Sequence, residues 1–333
     1  MDINSKKAVI MMATYNGEKY IRDQIKSLQD QTFTNWELFI SDDGSSDKTI
    51  KILQEFQSKD SRIKKIIHNT SKYHGAYANY FNIMNYVKMN CVNYDYYFYC
   101  DQDDIWLKTK IEKEIISLLS IEKQYGISMP AFVYCDLELC DKDCVSTHDK
   151  MSNHIRTQFV DNPYNSFFKE QYVWGTSMAH NQALWNLIYI GSLKKIKNIL
   201  THDGYVSKFA AAYAKIHYIS ESLILYRRTG ENISDTPGEY NIITQKIFKL
   251  SKIISNAANV YWDTLYFAYH APVDNNIIHD IKKCFTTPLN TYIYIRKYNI
   301  LKNERFLGKC STKFILYFKL YKDTVFFKNN DYK

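Results

Sequence analysis

The chain has 333 residues, of which 46% are hydrophobic and 23% charged, and its formal net charge is +8. These values are typical of a globular protein with one large domain, or with one domain and a substantial appendage. Only 10 residues are glycine, and neither a G-x-G-x-x-G nor a G-x-x-x-x-G-K-[ST] sequence is present. The scarcity of glycine argues against a glycine-rich phosphate loop, so a bound phosphate would have to be held by a metal ion and side chains.

The amino-terminal segment and the cysteines indicate a cytoplasmic location. The sequence MDINSKK leads directly into the apolar run from Ala8, without the long apolar region of a signal peptide, and no later stretch is long and apolar enough to span a membrane. Seven scattered cysteines fit a reducing compartment better than a disulfide framework. One run, formed by Cys135, Cys140, Cys144 and His148, has a second interpretation as a zinc site, although its spacing matches no common zinc module.

The first part of the chain alternates strand-like and helix-like segments. The predicted strands are Ala8 to Ala13, Trp36 to Ser41, Arg62 to His68 and Tyr96 to Cys100, with a later one at Ala131 to Leu139. The predicted helices are Gly17 to Gln31, Lys48 to Gln57 with Asp47 as its cap, Ala76 to Met89 and Lys108 to Glu122. Strands separated by such helices predict an α/β fold with a mainly parallel sheet covered on both faces.

Three polar clusters follow predicted strands. They are Thr14, Tyr15 and Asn16 after the first strand, Asp42, Asp43 and Gly44 after the second, and Asp101 to Asp104 after the fourth. Taken singly, each cluster is also explained as a helix cap or a turn. Ligands of parallel sheets bind at the carboxyl ends of the strands, so the three clusters together predict a binding edge.

The last cluster interrupts an aromatic strand with Asp101, Asp103 and Asp104. Three neighbouring carboxylates repel one another unless a cation lies among them. Hard oxygen ligands suit Mg²⁺ or Mn²⁺, with the remaining coordination left for water or a ligand's phosphates. The cluster therefore predicts a metal site that holds a diphosphate, and the alternative is a solvated acidic turn before the next helix.

Two segments, Ala13 to Thr49 and the sequence YCDQDDIW from Tyr99 to Trp106, resemble family-2 glycosyltransferases of the GT-A fold. The second segment has the form typical of rhamnosyltransferase-like members. The resemblance implies a GT-A catalytic domain over residues 1–235, followed by a helical, basic region over residues 236–333.

The resemblance also implies a nucleotide site. Its members would be Thr14, Tyr15, Asn16, Glu18, Asp42, Asp43, Gly75, Asn79 and Asp101. Asp42 would accept a hydrogen bond from the base, and Asp101 would lie near the ribose. Asp103 would ligate the metal ion that bridges the diphosphate, so Mn²⁺ or Mg²⁺ is the expected cofactor.

The segment Tyr172 to Leu184 resembles the part of the family that lies beside the donor and acceptor sugars. It would contribute Trp174, Gly175 and Thr176 to the pocket. Trp174 either stacks on a sugar or packs in the core.

The segment that begins at Thr201 resembles the family's last catalytic segment, and His202 would join the pocket. Asp203 would open the predicted helix Gly204 to Ala214 and act as the catalytic base, and the alternative is a helix cap without chemistry. Thr229 stands where relatives often carry histidine, so Arg227 or Arg228 is expected to contact the diphosphate instead.

The carboxyl-terminal region carries nearly all of the basic excess. Helical periodicity predicts helices at Ile242 to Ile254, Ala257 to Tyr269 and Val273 to Cys284. From Thr291 onward, ten Lys or Arg stand against three acids. This region either lies on an anionic membrane or packs as a basic appendage on the catalytic domain, and nucleic acid is not an expected partner.

The resemblance implies an inverting, metal-dependent transfer of a sugar from a nucleoside diphosphate sugar to a hydroxyl group. dTDP-rhamnose is the first expectation for the donor, with UDP-hexoses as the alternative. A bacterial surface polysaccharide or a lipid-linked oligosaccharide is the expected acceptor, and the expected location is the cytoplasm or the inner face of the plasma membrane. The other functions considered are a nucleotidyltransferase and a non-catalytic module that binds sugar nucleotides or glycans.

Overall fold

The structure is a computed structural model that describes residues 3–92, 94–169, 173–191, 201–230, 249–303 and 306–323. The chain divides into two compact units. The first unit comprises Met1–Asn153, Val173–Asn186 and Ala214–Asp235, and the second comprises His154–Tyr172, Leu187–Tyr213 and Thr236–Lys333. The predicted domain boundary at residue 235 stays a prediction.

The first unit is built on one mixed sheet. Its strands are β1 (Ala8–Thr14), β2 (Trp36–Asp42), β3 (Ile63–His68), β4 (Tyr96–Cys100), β5 (Ile105–Trp106), β6 (Ala131–Cys140), β7 (Ser146–Lys150), β8 (Met178–Asn181) and β9 (Lys215–Arg227). The strand order is β3-β2-β1-β4-β8-β6-β9-β5, with β7 beside β6. Strands β1 to β4 are parallel, β8 is antiparallel to both of its neighbours, and β9 is parallel to β6. The predicted mainly parallel α/β sheet is confirmed, whereas β5, β7, β8 and β9 were not predicted.

Helices flank this sheet. They are α1 (Ile21–Gln29), α2 (Thr49–Gln57), α3 (Ala76–Asn90), α4 (Lys110–Tyr125) and α5 (Gln182–Leu187). Ile21, Ile25 and Leu28 of α1 are fully buried, as their spacing on one helix face predicts. The helix begins four residues later than predicted, because Gly17 and its neighbours form a turn at the end of β1. The N-cap position of α2 is Lys48 and not Asp47 as predicted, although the Asp47 carboxylate accepts a hydrogen bond from the Thr49 N–H at 2.9 Å.

The second unit is helical in its described part. Its helices are α6 (His202–Tyr213), α7 (Lys249–His270), α8 (Asn276–Cys284), α9 (Pro288–Lys297) and α10 (Phe306–Tyr317). Buried aromatic side chains of α7, among them Trp262 and Tyr266, form much of its core. Asn275 caps α8 by accepting a hydrogen bond from the Ile278 N–H at 2.9 Å, which explains why this helix begins later than predicted.

The two helices predicted at Ile242 to Ile254 and Ala257 to Tyr269 form one helix in the described residues. Nothing between Ile254 and Ala257 breaks a helix, so the predicted interruption is wrong. Residues 242–248 lie outside the described residues. Among the helices that the structure describes, none has both the length and the hydrophobicity to cross a bilayer.

Candidate functional site

The carboxyl ends of β1, β2 and β4 meet at one edge of the sheet. Thr14 at the end of β1 is in register with Asp42 at the end of β2, and Met12 lies opposite Cys100 at the end of β4. The loops that follow these strands therefore lie side by side. We call them the β1 loop (residues 15–20), the β2 loop (residues 43–48) and the β4 loop (residues 101–104). The sheet thus brings together the three polar clusters predicted from the sequence.

Side chains of the β1 and β2 loops tie the two loops to each other. The Asn16 N–H donates to Ser45 Oγ at 2.9 Å. The Glu18 N–H donates to Asp47 Oδ2 at 3.0 Å, and the Glu18 carboxylate accepts from the Lys48 N–H at 2.9 Å. Asn16 has a φ of +45°, in the left-handed region that asparagine tolerates better than most residues. Asn16 and Glu18, both predicted site residues, therefore fix the conformation of this edge.

Asp42 is fully buried and organises the start of the β2 loop. Its Oδ1 accepts hydrogen bonds from the Gly44 and Ser45 N–H groups at 3.1 and 2.8 Å. Its Oδ2 accepts from Thr14 Oγ1 at 2.9 Å and from Ser45 Oγ at 2.6 Å. A carboxylate has about four acceptor positions, and these bonds fill them. The base-binding role predicted for Asp42 stays a prediction, and it requires one of these bonds to be released.

Asp43 joins the β2 loop to the start of α3. Its Oδ1 accepts from Asn69 Nδ2 at 2.6 Å and lies 2.9 Å from His74 Nδ1. Its Oδ2 accepts from the Gly75 N–H at 2.6 Å. Gly75 has a φ of +101°, which a residue with a side chain rarely adopts, and α3 begins directly after it.

Asn79 lies in the first turn of α3 and is buried. Its Nδ2 donates to the carbonyls of Ser41 at 2.8 Å and Thr14 at 3.2 Å, and its Oδ1 accepts from Ser41 Oγ at 2.6 Å. Asn79 therefore holds the ends of β1 and β2 together and supports the site from below.

Gln102 connects the β4 loop to the β1 loop, and the sequence analysis missed it. Its Oε1 accepts from the Tyr15 N–H and its Nε2 donates to the Tyr15 carbonyl, both at 2.9 Å. A carboxamide carries the donor and the acceptor that such a reciprocal bond to a peptide unit needs, whereas the acids beside it can only accept when ionised. The single amide among the acids of the run DQDD was therefore the sequence signal that could have identified Gln102.

The carboxylates of the β4 loop are close enough to perturb one another. Asp101 Oδ1 accepts a hydrogen bond from the Tyr80 hydroxyl at 2.7 Å. Burial, and then the Asp101 charge, raise the pKa of Tyr80 well above its usual value, so this hydroxyl remains a donor. Burial raises the pKa of Asp103, and burial followed by the charges of Asp103 and Asp101 raises that of Asp104 well above its usual range.

Asp104 provides the test of whether a cation fits this loop. Its Oδ1 accepts from the Arg227 N–H at 3.1 Å. Its Oδ2 is buried and has no hydrogen-bond partner of ordinary geometry in the described part of the chain, although the nearby Thr176 hydroxyl lowers the pKa slightly. Mutual repulsion and an uncompensated carboxylate oxygen are both relieved by a divalent cation. Within the described residues no three His, Cys, Asp or Glu side chains surround a metal position, so a ligand's phosphates and water would have to complete the coordination.

Arg227 braces the β4 loop from the end of β9. Its Nε–H donates to the Asp103 carbonyl at 2.7 Å, its Nη1 to the Lys142 carbonyl at 2.7 Å, and its Nη2 lies 3.3 Å from Asp23 Oδ2. The guanidinium is buried and its donors face the protein. The predicted diphosphate contact therefore suits Arg228 better, because Arg228 is only half-buried.

Trp174, Gly175 and Thr176 also belong to the first unit, and all three are buried. Gly175 and Thr176 lie in a short 3₁₀ helix that leads into β8. Thr176 Oγ1 accepts from Trp106 Nε1 at 3.0 Å. The burial of Trp174 supports the packing interpretation over stacking on a sugar.

His202 and Asp203 lie at the start of α6 in the second unit. His202 is buried, which lowers its pKa to about 4. The Asp203 carboxylate accepts a hydrogen bond from the Gly204 N–H at 2.7 Å, and Thr201 Oγ1 accepts from the same group at 2.9 Å. Both interpretations of Asp203, as a base and as part of a helix start, stay open.

The cysteine run does not assemble into a zinc site in the described part of the chain. Cys140 Sγ and Cys144 Sγ lie 3.2 Å apart in the β6–β7 hairpin. Cys135 is buried elsewhere on β6, beside Glu114, because it stands five residues before Cys140, which is about 16 Å along an extended strand.

Comparison with known proteins finds a family match in part of the first unit. Residues 9–139 match the profile of the family described as Glycosyl transferase family 2. This stretch of the chain therefore carries a Glycosyl transferase family 2 domain. The recognition made from the motifs, the GT-A fold class and the assignment to glycosyltransferases are thereby confirmed at the level of the family.

The chain spans less than half the length of the two named relatives that follow. The dTDP-rhamnosyl transferase RfbG of Shigella flexneri is 43% identical over 108 residues, which are 32% of this chain and 37% of RfbG. The β-1,3-glucosyltransferase WfgD of Escherichia coli, named for UDP-Glc, is 36% identical over 119 residues, which are 35% of this chain and 44% of WfgD. The structure of S. aureus TarS 1-349 with UDP-GlcNAc is similar in fold, with a TM-score of 0.53 at 13% identity over 92% of this chain and 78% of that chain.

Proposed function

We propose that the protein transfers a sugar from a nucleoside diphosphate sugar to an acceptor hydroxyl, with inversion at the anomeric carbon. The observation that carries this proposal is the β4 loop with its three acids, Asp101, Asp103 and Asp104. Burial and neighbouring negative charge disfavour the ionised carboxylates there unless a cation lies among them. Two ordered loops lie beside this cluster. The match of residues 9–139 to family-2 glycosyltransferases supports the nucleotide sugar as the ligand. The likeness to RfbG favours dTDP-rhamnose as the donor, and the likeness to WfgD makes a UDP-hexose the alternative.

Asp103 is the residue we propose to hold Mn²⁺ or Mg²⁺, with Asp101 beside it near the ribose. When bound, the ion would act as a Lewis acid toward the leaving diphosphate. Asn16, Glu18 and Gln102 would keep the surrounding loops in one conformation, so that little ordering is lost when the nucleotide binds.

Asp203 is the proposed base. It would take the proton of the acceptor hydroxyl as that oxygen attacks the anomeric carbon, and a single displacement inverts the configuration. We propose a lipid-linked oligosaccharide or surface polysaccharide of a bacterium as the acceptor. Such an acceptor is met at the inner face of the plasma membrane.

Donor turnover tests the proposal. The purified chain is offered dTDP-, UDP- and GDP-sugars with and without Mn²⁺ or Mg²⁺, and the release of free nucleoside diphosphate is measured. We expect metal-dependent release from one donor and its loss in Asp103→Ala. Asp143→Ala, which removes an exposed acid of the β6–β7 hairpin, is the control and should behave as the wild type.

Asp203→Asn separates catalysis from donor binding. We expect turnover to fall by about 10²-fold or more, while the donor and metal still raise the melting temperature as in the wild type. Unchanged turnover in Asp203→Asn contradicts the proposed base. If nucleotide and metal also fail to raise the melting temperature of the wild type, the donor site itself is wrongly assigned.

A further inference from the structure

Helix α9 presents apolar side chains outward as well as inward. Thr291, Tyr294 and Ile295 are buried in the second unit, as expected for a packed helix. On the outer side, Leu289, Tyr292 and Ile293 are 66%, 45% and 51% exposed. Their spacing of three and four residues places them on one side of the helix, so the exposure forms a stripe rather than scattered points.

Helix α10 has a second stripe of the same kind. Ile315 and Leu316 are buried, whereas Phe306, Phe314 and, one residue past the helix end, Phe318 are 77%, 48% and 66% exposed. Positions 306, 310, 314 and 318 repeat every four residues along one side, and Cys310 between the phenylalanines is exposed too. The rings of Phe314 and Phe318 lie with their centroids 4.7 Å apart.

The two stripes lie on adjoining parts of the second unit. Helices α9 and α10 contact each other within this unit. Lys319 donates a hydrogen bond to the carbonyl of Thr286, just before α9 begins. We call the six side chains of the two stripes the aromatic face: Leu289, Tyr292, Ile293, Phe306, Phe314 and Phe318.

The segment that carries the aromatic face is strongly basic. From Pro288 to Lys322 the sequence contains eight Lys or Arg and a single acid, Glu304, which gives a net charge of +7. Arg296 and Lys302 are exposed, and Arg296 lies beside Tyr292 with its Nη1 2.9 Å from the hydroxyl. Exposed apolar side chains are therefore interleaved with cations.

We propose that the second unit docks on an anionic lipid bilayer through the aromatic face. Phenylalanine, leucine and isoleucine side chains gain by leaving water for the region between head groups and acyl chains, and lysine and arginine pair with lipid phosphates at the same depth. The inference goes beyond the proposed reaction, which does not depend on it.

Charge and composition argue against two other partners for the aromatic face, a second copy of the chain and nucleic acid. A second copy of the chain would bring a segment of charge +7 against its equal, and like charges oppose such an interface. Nucleic acid would neutralise the cations but would leave Leu289 and Ile293 in water, because aliphatic side chains find no partner along a phosphate backbone.

Vesicle sedimentation tests the inference with the full chain. Vesicles of phosphatidylcholine are compared with vesicles that also contain phosphatidylglycerol. We expect binding to the anionic vesicles, weakened by salt because part of the attraction is electrostatic. Failure to bind the anionic vesicles overturns the inference, as does equal binding to both kinds.

Two pairs of substitutions test the residues. Phe314→Ser with Phe318→Ser, and Arg296→Glu with Lys302→Glu, should each weaken vesicle binding by about tenfold or more. All four side chains are exposed, so the melting temperature should stay close to that of the wild type. The matched control is Ile116→Ser with Ile127→Ser, which removes exposed apolar side chains from the first unit and should bind vesicles as the wild type does.

Other outcomes identify a different occupant. A dimer in light scattering that the phenylalanine pair dissociates, without vesicle binding, would replace the membrane by a second copy. Binding of duplex RNA or DNA without vesicle binding would replace it by nucleic acid. Donor turnover is measured separately, without vesicles. Vesicle binding without turnover supports this inference and contradicts the proposed reaction. Turnover without vesicle binding supports the reaction and contradicts this inference.

Discussion

The guanidinium of Arg227 donates its Nε–H to the main-chain carbonyl of Asp103 at 2.7 Å, so the last strand of the sheet holds the loop that carries the proposed metal ligand. The Arg227 N–H makes a second link, to Asp104 Oδ1 at 3.1 Å. The position and the charge of the β4 loop thus depend on Arg227, whether or not Arg227 contacts the nucleotide.

Arg227→Lys should therefore weaken both folding and donor binding. A lysine cannot replace the two donors that reach the carbonyls of Asp103 and Lys142, and buried acceptors left unpaired are costly. We expect the free energy of unfolding to fall by about 3 kcal/mol, measured by urea denaturation. The KM for the donor should rise with it.

Arg22→Lys is the control for this prediction. Arg22 is half exposed on α1 and pairs with Glu55 at 2.9 Å at the surface, where solvent screens the interaction. We expect little change in its unfolding curve. Equal effects of the two substitutions would contradict the bracing role of Arg227.

Gly17→Ala should disturb the contact between the β1 and β4 loops. A Cβ atom at this position would lie 2.4 Å from Gln102 Oε1, so the carboxamide would have to turn away from Tyr15. That movement costs both reciprocal hydrogen bonds to Tyr15, which together are worth about 1 to 2 kcal/mol. We expect the KM for the donor to rise about tenfold.

A double-mutant cycle checks the assigned cause. Gln102→Ala should have an effect similar to that of Gly17→Ala, because it deletes the same two bonds. The double variant should be about as weak as either single variant. Additive losses would show that Gly17 acts through something other than Gln102.

The first four strands were predictable because each is a local apolar run bounded by polar residues. The predicted and observed limits of Trp36–Asp42 differ by one residue, and those of Tyr96–Cys100 agree. The parallel order of such strands follows from the helices between them, and it placed Asp42 and Asp101 at the same edge of the sheet.

The rest of the sheet depends on contacts that are distant in sequence. Strand β8, Met178–Asn181, has only four residues, two of them polar, and it exists because β4 and β6 bond to it on either side. The partners of Gln102 and Arg227 are likewise distant in sequence. A motif identifies which residues are polar, but not whether their hydrogen bonds are directed to a ligand or to the protein.

His180 should make the first unit sensitive to acid. It lies on β8, fully buried beside the rings of Tyr97 and Trp185, and burial lowers its pKa from 6.5 to about 3. Between these two pH values the imidazole of His180 is protonated in the unfolded chain and neutral in the folded chain. The contribution of His180 to the free energy of unfolding is therefore fully present above pH 6.5. It falls by about 1.4 kcal/mol per pH unit as the pH is lowered from there toward about 3.

Comparison with His180→Gln isolates this contribution from those of the carboxylates. The variant should be less stable than the wild type at pH 7, because it loses ring stacking, but its stability should fall less steeply between pH 6 and pH 4. Denaturation at several pH values measures both slopes. Parallel curves would mean that His180 titrates normally in the folded protein.

Lys208 and Asp263 form a buried ion pair in the second unit, with Nζ and Oδ2 2.6 Å apart and both side chains almost inaccessible. It links α6, which carries Asp203 at its start, to α7. Lys208→Met would leave the Asp263 carboxylate buried without its cation, which typically costs about 3 to 5 kcal/mol. Thermal or urea unfolding should show this loss of stability. If the two units unfold separately, nucleotide should still raise the melting temperature of the first unit as in the wild type.

The double variant Lys208→Met with Asp263→Leu distinguishes a buried charge from lost packing. Removal of both charges takes away the desolvation cost together with the attraction, so most of the stability lost in Lys208→Met should return. If the double variant is less stable than Lys208→Met alone, the contact between α6 and α7 depends on the shape of these side chains, and the ion pair is not the main cause of the loss.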